Sequence, residues 1–518
     1  MEKCNSQPSN RHSYPRFVIA GNHGSAGKTT ISVGLCAALT GKGLSVQPFK
    51  KGPDFIDPMW LTASSGNRIC RNLDFFMMKD QILQTFFNAA FDADISLIEG
   101  NKGLHDGLDT EGSNSTAAMA RMLKAPVIMV IDTRKMTRGI APLLLGYLNF
   151  ESDVTFAGVI LNRVAGLRHE TKLRAAIERY CDIEVLGSIP RREELEIDER
   201  RLGLIPVKEH IGASCVIDEI ADIVKENVDL EKIIELSGNL PEISESNLTL
   251  NSQKSEEGFT LSAKAQTTAE SQEVNNYKIE FNQNRVKIGV AIDRAFTFYY
   301  QENFDALRAS GAELVPFSPL TDSQLPEVDG LYIGGGFPEM YLTELEKNRA
   351  LKEHIRAAIF NDMTVYAECG GLMYLAKTIS WNGQKTEMVG GLPCEIEITS
   401  RPQGRGYMIL KTEMSSNITE KQAEPLNDNN VRWNLPVGEI IRSHEFHYSR
   451  VVRFTENVTF AYKVKRGFGI TGIQDGLIYH NVLASYAHLH NHAVTWWATK
   501  FVELAGRSHL VPVEDGSI

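Results

Sequence analysis

Two long stretches of this chain share one rhythm: short, mostly apolar runs separated by amphipathic segments of helical period. In the first stretch, residues 17–20, 45–49, 95–98, 127–131, 154–161 and 185–189 read as buried strands. Strands that alternate with helices in this way predict a parallel sheet covered on both faces. A second alternation opens at Val286, with strands over 286–292, 314–317, 330–333, 364–367 and 477–479. Helices are expected over 301–310 and 345–361. Both halves therefore predict α/β domains, and no internal repeat relates them.

Between residues 238 and 283, Ser, Asn, Glu, Gln and Thr replace large apolar side chains. Such a segment offers too little apolar surface to offset its chain entropy, which predicts a solvated linker. The expected division is a first domain over 1–235, a linker over 236–284 and a second domain over 285–518. Residues 412–435 are polar and irregular and read as a loop insertion.

At 518 residues, two large domains is the natural expectation. A net charge of −11 argues against nucleic acid as a partner, since that binding draws on basic patches. The absence of a long apolar run argues against a membrane span, and the polar start argues against a secretory signal. Seven scattered cysteines form no disulfide framework, so a reducing cytoplasm is the expected compartment. A homodimer is a further expectation.

Candidate chemistry begins at Gly21-Asn22-His23-Gly24-Ser25-Ala26-Gly27-Lys28-Thr29-Thr30, between the first strand and a helix expected over 30–40. Gly24 and Gly27 allow backbone N–H groups to curl around phosphate oxygens at the helix start, where Thr30 follows. Lys28 is placed to reach the outer phosphates of ATP and Thr29 to bind Mg²⁺. Asn22 stands where the standard pattern has its first glycine.

The second strand ends in Pro48-Phe49-Lys50-Lys51-Gly52-Pro53-Asp54-Phe55-Ile56-Asp57-Pro58. Ligands of open parallel sheets bind at the carboxyl ends of the strands. That places Lys50 near phosphate and Asp54 and Asp57 near Mg²⁺ or substrate, although both aspartates also suit a helix cap. Glu99 directly follows a buried strand, a good position for a magnesium ligand. Lys102 and Asp106 lie on the Gly-rich loop after it, and Asn162, ending another strand, could bond a purine edge.

In the second half, Cys369 sits in Tyr366-Ala367-Glu368-Cys369-Gly370-Gly371, between a strand and a helix. A thiol there feels the helix N-terminus, which favours thiolate. The N–H of Gly370 and one from the Gly334–Gly336 loop, at Gly335 or Gly336, are candidates for an oxyanion hole. The base is expected at His488, by position. His490 occupies the place where related sites often carry a carboxylate, so a Cys–His dyad is expected. His444 and His447 raise a metal alternative, but zinc needs two further ligands.

These motifs resemble the cobyrinic acid a,c-diamide synthase family. The resemblance rests on the Pro48–Pro58 segment, the Glu99–Gly107 loop, Glu-Cys-Gly-Gly-Leu-Met-Tyr, His-Glu-Phe-His-Tyr-Ser and Ala-Ser-Tyr-Ala-His-Leu-His. It implies a dethiobiotin-synthetase-like P-loop domain joined to a class I glutamine amidotransferase domain. It further implies successive amidation of the a and c acetate groups of a polycarboxylate tetrapyrrole, with L-glutamine as nitrogen donor.

On that resemblance Lys28 and Thr29 hold ATP and Mg²⁺, and Asp54 and Glu99 complete the metal site. Phe55, Ile56, Asp57 and Asp106 position the acceptor, while Cys369 and His488 match the glutaminase nucleophile and base. Asn101, Lys102 and His105 depart from the family's usual residues, which keeps sirohaem and nickel-sirohydrochlorin in view as acceptors. A cobyric acid synthase shares both domains but matches Pro-Asp-Phe-Ile-Asp-Pro less closely. The non-enzyme rival is a partitioning-type ATPase with a decayed amidotransferase domain.

Overall fold

The computed structural model describes residues 14–192, 199–200, 203–210, 212–238, 240–241, 243, 285–416, 433 and 435–507. The chain divides into two compact units, Met1–Ile279 and Glu280–Ile518. Most of the segment expected to be a linker lies outside the described residues, as do residues 417–432 of the expected insertion.

The first unit is built on seven parallel strands: β1 (Arg16–Gly21), β2 (Val46–Lys51), β3 (Arg71–Leu73), β4 (Ile95–Glu99), β5 (Val127–Asp132), β6 (Phe156–Val164) and β7 (Val185–Pro190). Their order is β3-β2-β4-β1-β5-β6-β7. All residues of β1, β4 and β5 are buried, which explains their near-continuous apolar runs. Each large aliphatic side chain sealed this way contributes about 1.5–3 kcal/mol. Strand β2 is buried too, yet it carries Lys50 and Lys51 inward at its carboxyl end.

Strand β1 lies between β4 and β5, so the loops leaving all three strands share one edge. Helix α1 (Lys28–Gly41) starts two residues earlier than the sequence pattern predicts. It packs closely on the helix Ala213–Asn227: a Cβ at Gly34 would sit 2.5 Å from Val224 Cγ2. Helix α2 (Ile56–Ser64) follows β2 directly. The three-residue edge strand β3 has no apolar periodicity to announce it.

The second unit holds a nine-stranded mixed sheet. In chain order its strands are β8 (Val286–Ala291), β9 (Ala312–Phe317), β10 (Gly330–Ile333), β11 (Thr364–Glu368), β12 (Gly404–Ser416), β13 (Ile440–His447), β14 (Thr459–Arg466), β15 (Gln474–Tyr479) and β16 (Val482–Ser485). The spatial order is β9-β8-β10-β11-β16-β15-β14-β12-β13. The first five in that order run parallel, and the remaining four continue the sheet antiparallel.

Alternation along the parallel strands divides the core. Leu331, Ile333, Val365 and Ala367 join one buried cluster, and Ile288, Val290, Tyr332 and Tyr366 the other. The helix expected over 345–361 is two helices, Leu342–Lys347 and Arg349–Phe360, broken at Asn348. Part of the expected insertion is strand, since β12 runs through Thr412 to Ser416.

Candidate active site

The first cluster forms where β1, β2 and β4 end. Gly27 takes φ +91° at the start of α1, a left-handed conformation natural to glycine. A Cβ there would lie 2.1 Å from Asn162 Nδ2. Asn162 donates that Nδ2 to Ala26 O over 2.9 Å, and its Oδ1 accepts from Arg163 N over 2.9 Å. The amide thus braces the glycine loop from behind, and the structure turns it on to backbone where the sequence suggested a purine edge. Asn22, the departure from the glycine pattern, accepts from Asp132 N through Oδ1 over 3.2 Å and ties the loop to the end of β5.

Lys28 curls over this loop, with Nζ 3.0 Å from Gly24 O and 3.2 Å from His23 O. Burial, reinforced by the nearby Lys50 charge, lowers its pKa to about 8. Thr30 follows within α1, and Gly24 faces open space.

Register then decides the neighbours. Strands β2 and β4 pair Lys50 with Glu99, and the Lys50 ammonium enters a nest of acids. It lies 2.5 Å from Asp57 Oδ2, 2.7 Å from Glu99 Oε1 and 4.0 Å from Asp54 Oδ2. Burial alone would lower the Lys50 pKa, but Asp57, Glu99 and Asp54 outweigh it and hold the ammonium charged. Burial pushes Glu99 upward, whereas Asp57 is held down because Lys50 overcomes its burial. Asp54 rises to about 7, from burial and the adjacent Asp57 charge.

Thr29 Oγ1 donates to Glu99 Oε1 over 2.7 Å and approaches Asp57 Oδ2 at 3.3 Å. Glu99 Oε2 is buried with no hydrogen-bond partner among the described residues. Asp54 Oδ1 accepts from Ile56 N and Asp57 N, so it also caps α2. Among the described residues, no three His, Cys, Asp or Glu side chains could hold a metal on their own. Magnesium in nucleotide sites takes only one or two protein carboxylates and completes its shell with phosphate and water.

Phe55 and Ile56 are buried at the start of α2. Lys102 (φ +56°) and Asp106 are exposed on the loop after β4, where Asp106 Oδ2 accepts from Gly103 N over 2.9 Å. Lys51, buried beside Phe75, feels Lys102 electrostatically, and burial lowers its pKa to about 8. Arg134 forks on to Asp132, which also binds Arg163.

The second cluster forms where β10, β11 and β16 end. Cys369 follows β11 with φ +47° and ψ −98°, a strained elbow that opens the short helix Gly370–Leu375. Its N–H donates to Ser485 O on β16 over 2.7 Å. The thiol is buried, and that burial, with Glu339 nearby, raises its pKa strongly. The expected depression by the helix N-terminus is corrected here: a six-residue helix does not offset complete burial.

Glycines pack the elbow. A Cβ at Gly371 would sit 2.1 Å from Ile333 O, and one at Gly370 would sit 3.0 Å from Gly336 N. A Cβ at Gly336 (φ +154°) would have no room either, 2.0 Å from Ala295 O, and one at Gly335 would meet His488 Cε1 at 2.5 Å. Gly334 N is bonded to Tyr299 Oη over 2.9 Å. The Gly335–Gly336 segment therefore touches both the elbow and the candidate base.

His488 is buried, bridged through its N–H to His444 O over 2.9 Å, with the two imidazoles stacked at 4.9 Å. Burial, then His488 and His490, hold His444 well below the usual histidine range, hence neutral. His447 lies elsewhere, stacked on Tyr486 at 3.7 Å. Three residues apart on β13, the two histidines project to opposite faces, which removes the zinc reading. The sequence reading missed Glu368, whose Oε2 lies 3.4 Å from His488 Nδ1. His490 Nε2 instead faces Glu302 Oε2 at 3.5 Å.

Comparisons with known proteins bear on the two domains. Residues 17–205 match the CobQ/CobB/MinD/ParA nucleotide binding domain, and residues 287–496 match the CobB/CobQ-like glutamine amidotransferase domain. A Magnetococcus marinus protein named Cobyrinate a,c-diamide synthase is 44% identical over 93% of this chain and 96% of its own. Proteins of that name from Methanosarcina acetivorans and Archaeoglobus fulgidus are each 39% identical, over 96% and 95% of this chain and 96% and 97% of theirs. Among the described residues, no helix is long and apolar enough to cross a membrane. Two domains of these kinds in one chain, aligned nearly end to end with such relatives, establish that the chain belongs to the cobyrinate a,c-diamide synthase family of glutamine-hydrolysing ligases.

Proposed function

We propose that this chain uses ATP and L-glutamine to amidate the a and c acetate carboxylates of a cobyrinate-type tetrapyrrole. The observation that carries the reading is a pairing within one chain. A phosphate loop is backed by the cluster of Thr29 and Asp57 with the buried Lys50 and Glu99, and a strained Cys369 elbow stands on a glutamine amidotransferase domain.

In the second unit the Cys369 sulfur attacks the glutamine carboxamide carbon. The C–N bond breaks as the thiol proton passes through His488 to the leaving nitrogen, giving ammonia and a thioester. Water then releases glutamate. The N–H groups of Gly370 and of Gly335 or Gly336 stabilise the developing oxyanion.

In the first unit a substrate carboxylate takes the γ-phosphoryl group of ATP, forming an acyl phosphate from which ammonia displaces phosphate. Lys28 neutralises charge on the transferring group, and Lys50 holds the carboxylates of the cluster in place. The unpartnered Glu99 Oε2 and the adjacent Thr29 hydroxyl fit a hard divalent cation. Thr29, Glu99 and Asp54 would hold Mg²⁺, which supplies charge neutralisation at the phosphates when bound. Lys51 and Lys102 would receive further carboxylates of the acceptor. The proposed organisation follows the expected division at 236–284.

The test is incubation of purified protein with ATP, glutamine and either cobyrinate, sirohaem or nickel-sirohydrochlorin, read by mass spectrometry. The expected result is replacement of OH by NH₂ at two carboxylates of cobyrinate alone. Conversion of another macrocycle in its place overturns the acceptor, and failure to release glutamate overturns the whole reading.

A further inference from the structure

The glutaminase base has a partner on the far side of its ring. We propose that Glu368, the residue immediately before the nucleophile, is the carboxylate that orients His488 and fixes its tautomer. The inference rests on the reading of Cys369 and His488 as nucleophile and base. A histidine base needs its distal nitrogen anchored, or the ring turns and presents the wrong nitrogen to the thiol.

Four buried carboxylates lie in this part of the second unit, and three are engaged elsewhere. Glu302 faces His490 at 3.5 Å. Glu445 accepts from Phe468 N over 2.6 Å and Gly469 N over 2.8 Å. Asp475 accepts from Tyr486 N over 3.1 Å and Ala487 N over 3.0 Å. Glu368 comes within ion-pair distance of His488, its Oε2 standing 3.4 Å from Nδ1.

Glu368 is itself held rigidly. Its Oε1 accepts from Tyr366 Oη over 2.7 Å and from Leu489 N over 3.1 Å, and Tyr332 Oη stands 3.5 Å from Oε2. The bond to Leu489 N anchors the residue next to the base, so the carboxylate holds that segment's backbone and stands within ion-pair distance of its ring. Strand alternation makes this possible: Tyr366 and Glu368 share one face of β11, while Cys369 turns off the strand end. His488 is then confined by Glu368 at Nδ1, by the His444 ring on one face and by Gly335 at Cε1. Nδ1 carries the proton toward Glu368, which leaves Nε2 as the basic nitrogen. The position two residues after the base is free to be His490, because the carboxylate comes from the nucleophile's own strand.

The test uses the full-length protein and three variants. Glu368→Gln keeps the acceptor for Tyr366 and Leu489 N but can offer an NH₂ to Nδ1, favouring the wrong tautomer. Its kcat for glutamine hydrolysis is expected to fall roughly 100-fold with KM for glutamine little changed. Glu368→Asp, which keeps the charge, should recover part of that loss, and ammonia-driven amidation should be unchanged in both.

His488→Asn separates the two readings. If it retains glutaminase activity, the base is wrongly assigned. If it is inactive while Glu368→Gln behaves as wild type, the base stands and Glu368 is overturned as its partner. Should Glu368→Gln fail to fold, nitrogen-15 imidazole spectra of the wild-type protein decide, with the His488 signal assigned by its loss in His488→Asn. A proton on Nδ1 is expected, and a resting tautomer protonated on Nε2 alone overturns the proposal.

Discussion

The Lys50 ammonium lies 2.7 Å from Glu99 Oε1, with both side chains sealed from solvent. Cross-strand register brings them together, so this pair forms when β2 pairs with β4, while Asp54 and Asp57 join it from the segment that follows β2.

Removing the cation should therefore unsettle the fold as well as the chemistry. Lys50→Met leaves the buried Glu99, with Asp57 beside it, without a counter-charge, and the expected loss is about 3–5 kcal/mol in urea unfolding. Adding Glu99→Gln should recover part of it, since the two changes share one interaction. Wild-type stability in the single variant would contradict the account.

Nucleotide affinity should depend on alkaline pH. Burial lowers Lys28 to about 8, so the group is cationic below that pH and neutral above it. Phosphate favours the cation, so ATP binding takes up a proton as pH rises past about 8. The dissociation constant, measured by calorimetry, should then rise toward tenfold per pH unit until other groups intervene. Lys28→Arg should remove this dependence.

The glycine loop tolerates no side chain at its turn. Gly27→Ala meets both a left-handed backbone, costing about 1–2 kcal/mol, and the Asn162 amide 2.1 Å away. ATP affinity should fall at least tenfold by equilibrium binding. Asn162→Ala, which removes only the brace on Ala26 O, should cost less.

Cys369→Ser should lose glutamine-driven amidation and retain turnover with free ammonia, followed by product formation with either donor. Because burial keeps the thiol protonated, iodoacetamide should label the exposed Cys215 well before Cys369 in resting protein. Rapid loss of glutaminase activity under alkylation would contradict that.

Lys102→Glu should raise the KM for the acceptor and leave glutaminase turnover unchanged. Lys102 is exposed on its loop, within electrostatic reach of Lys51. Equal loss of both activities would place the residue elsewhere in the mechanism.

Most parallel strands of both units are legible in the sequence because burial on two faces writes itself as apolar runs, the short β3 and β16 being the exceptions. Strands of the antiparallel extension, such as β12 and β13, are not, since their exposed positions break the run. At the sites, Lys28, Thr29 and Cys369 declare themselves through local motifs. The meeting of Lys50 with Glu99 and of His488 with Glu368 does not, because each joins segments distant in the chain. Glu368 did carry a signal: a carboxylate closing a buried strand, the same one that marks Glu99. The thiol's raised pKa could not be read from a motif, because it follows from burial by residues distant in the chain.

One strand serves both sides of the glutaminase domain, and its reading frame matters. His444 stacks on His488 while His447 stacks on Tyr486, so their odd spacing assigns each ring its compartment. Inserting or deleting a single residue between them would send both imidazoles to one side and strip the other of its prop. The length of that short segment is thus constrained as tightly as the identity of the rings, and variation between homologous enzymes should fall in the turns flanking the strand.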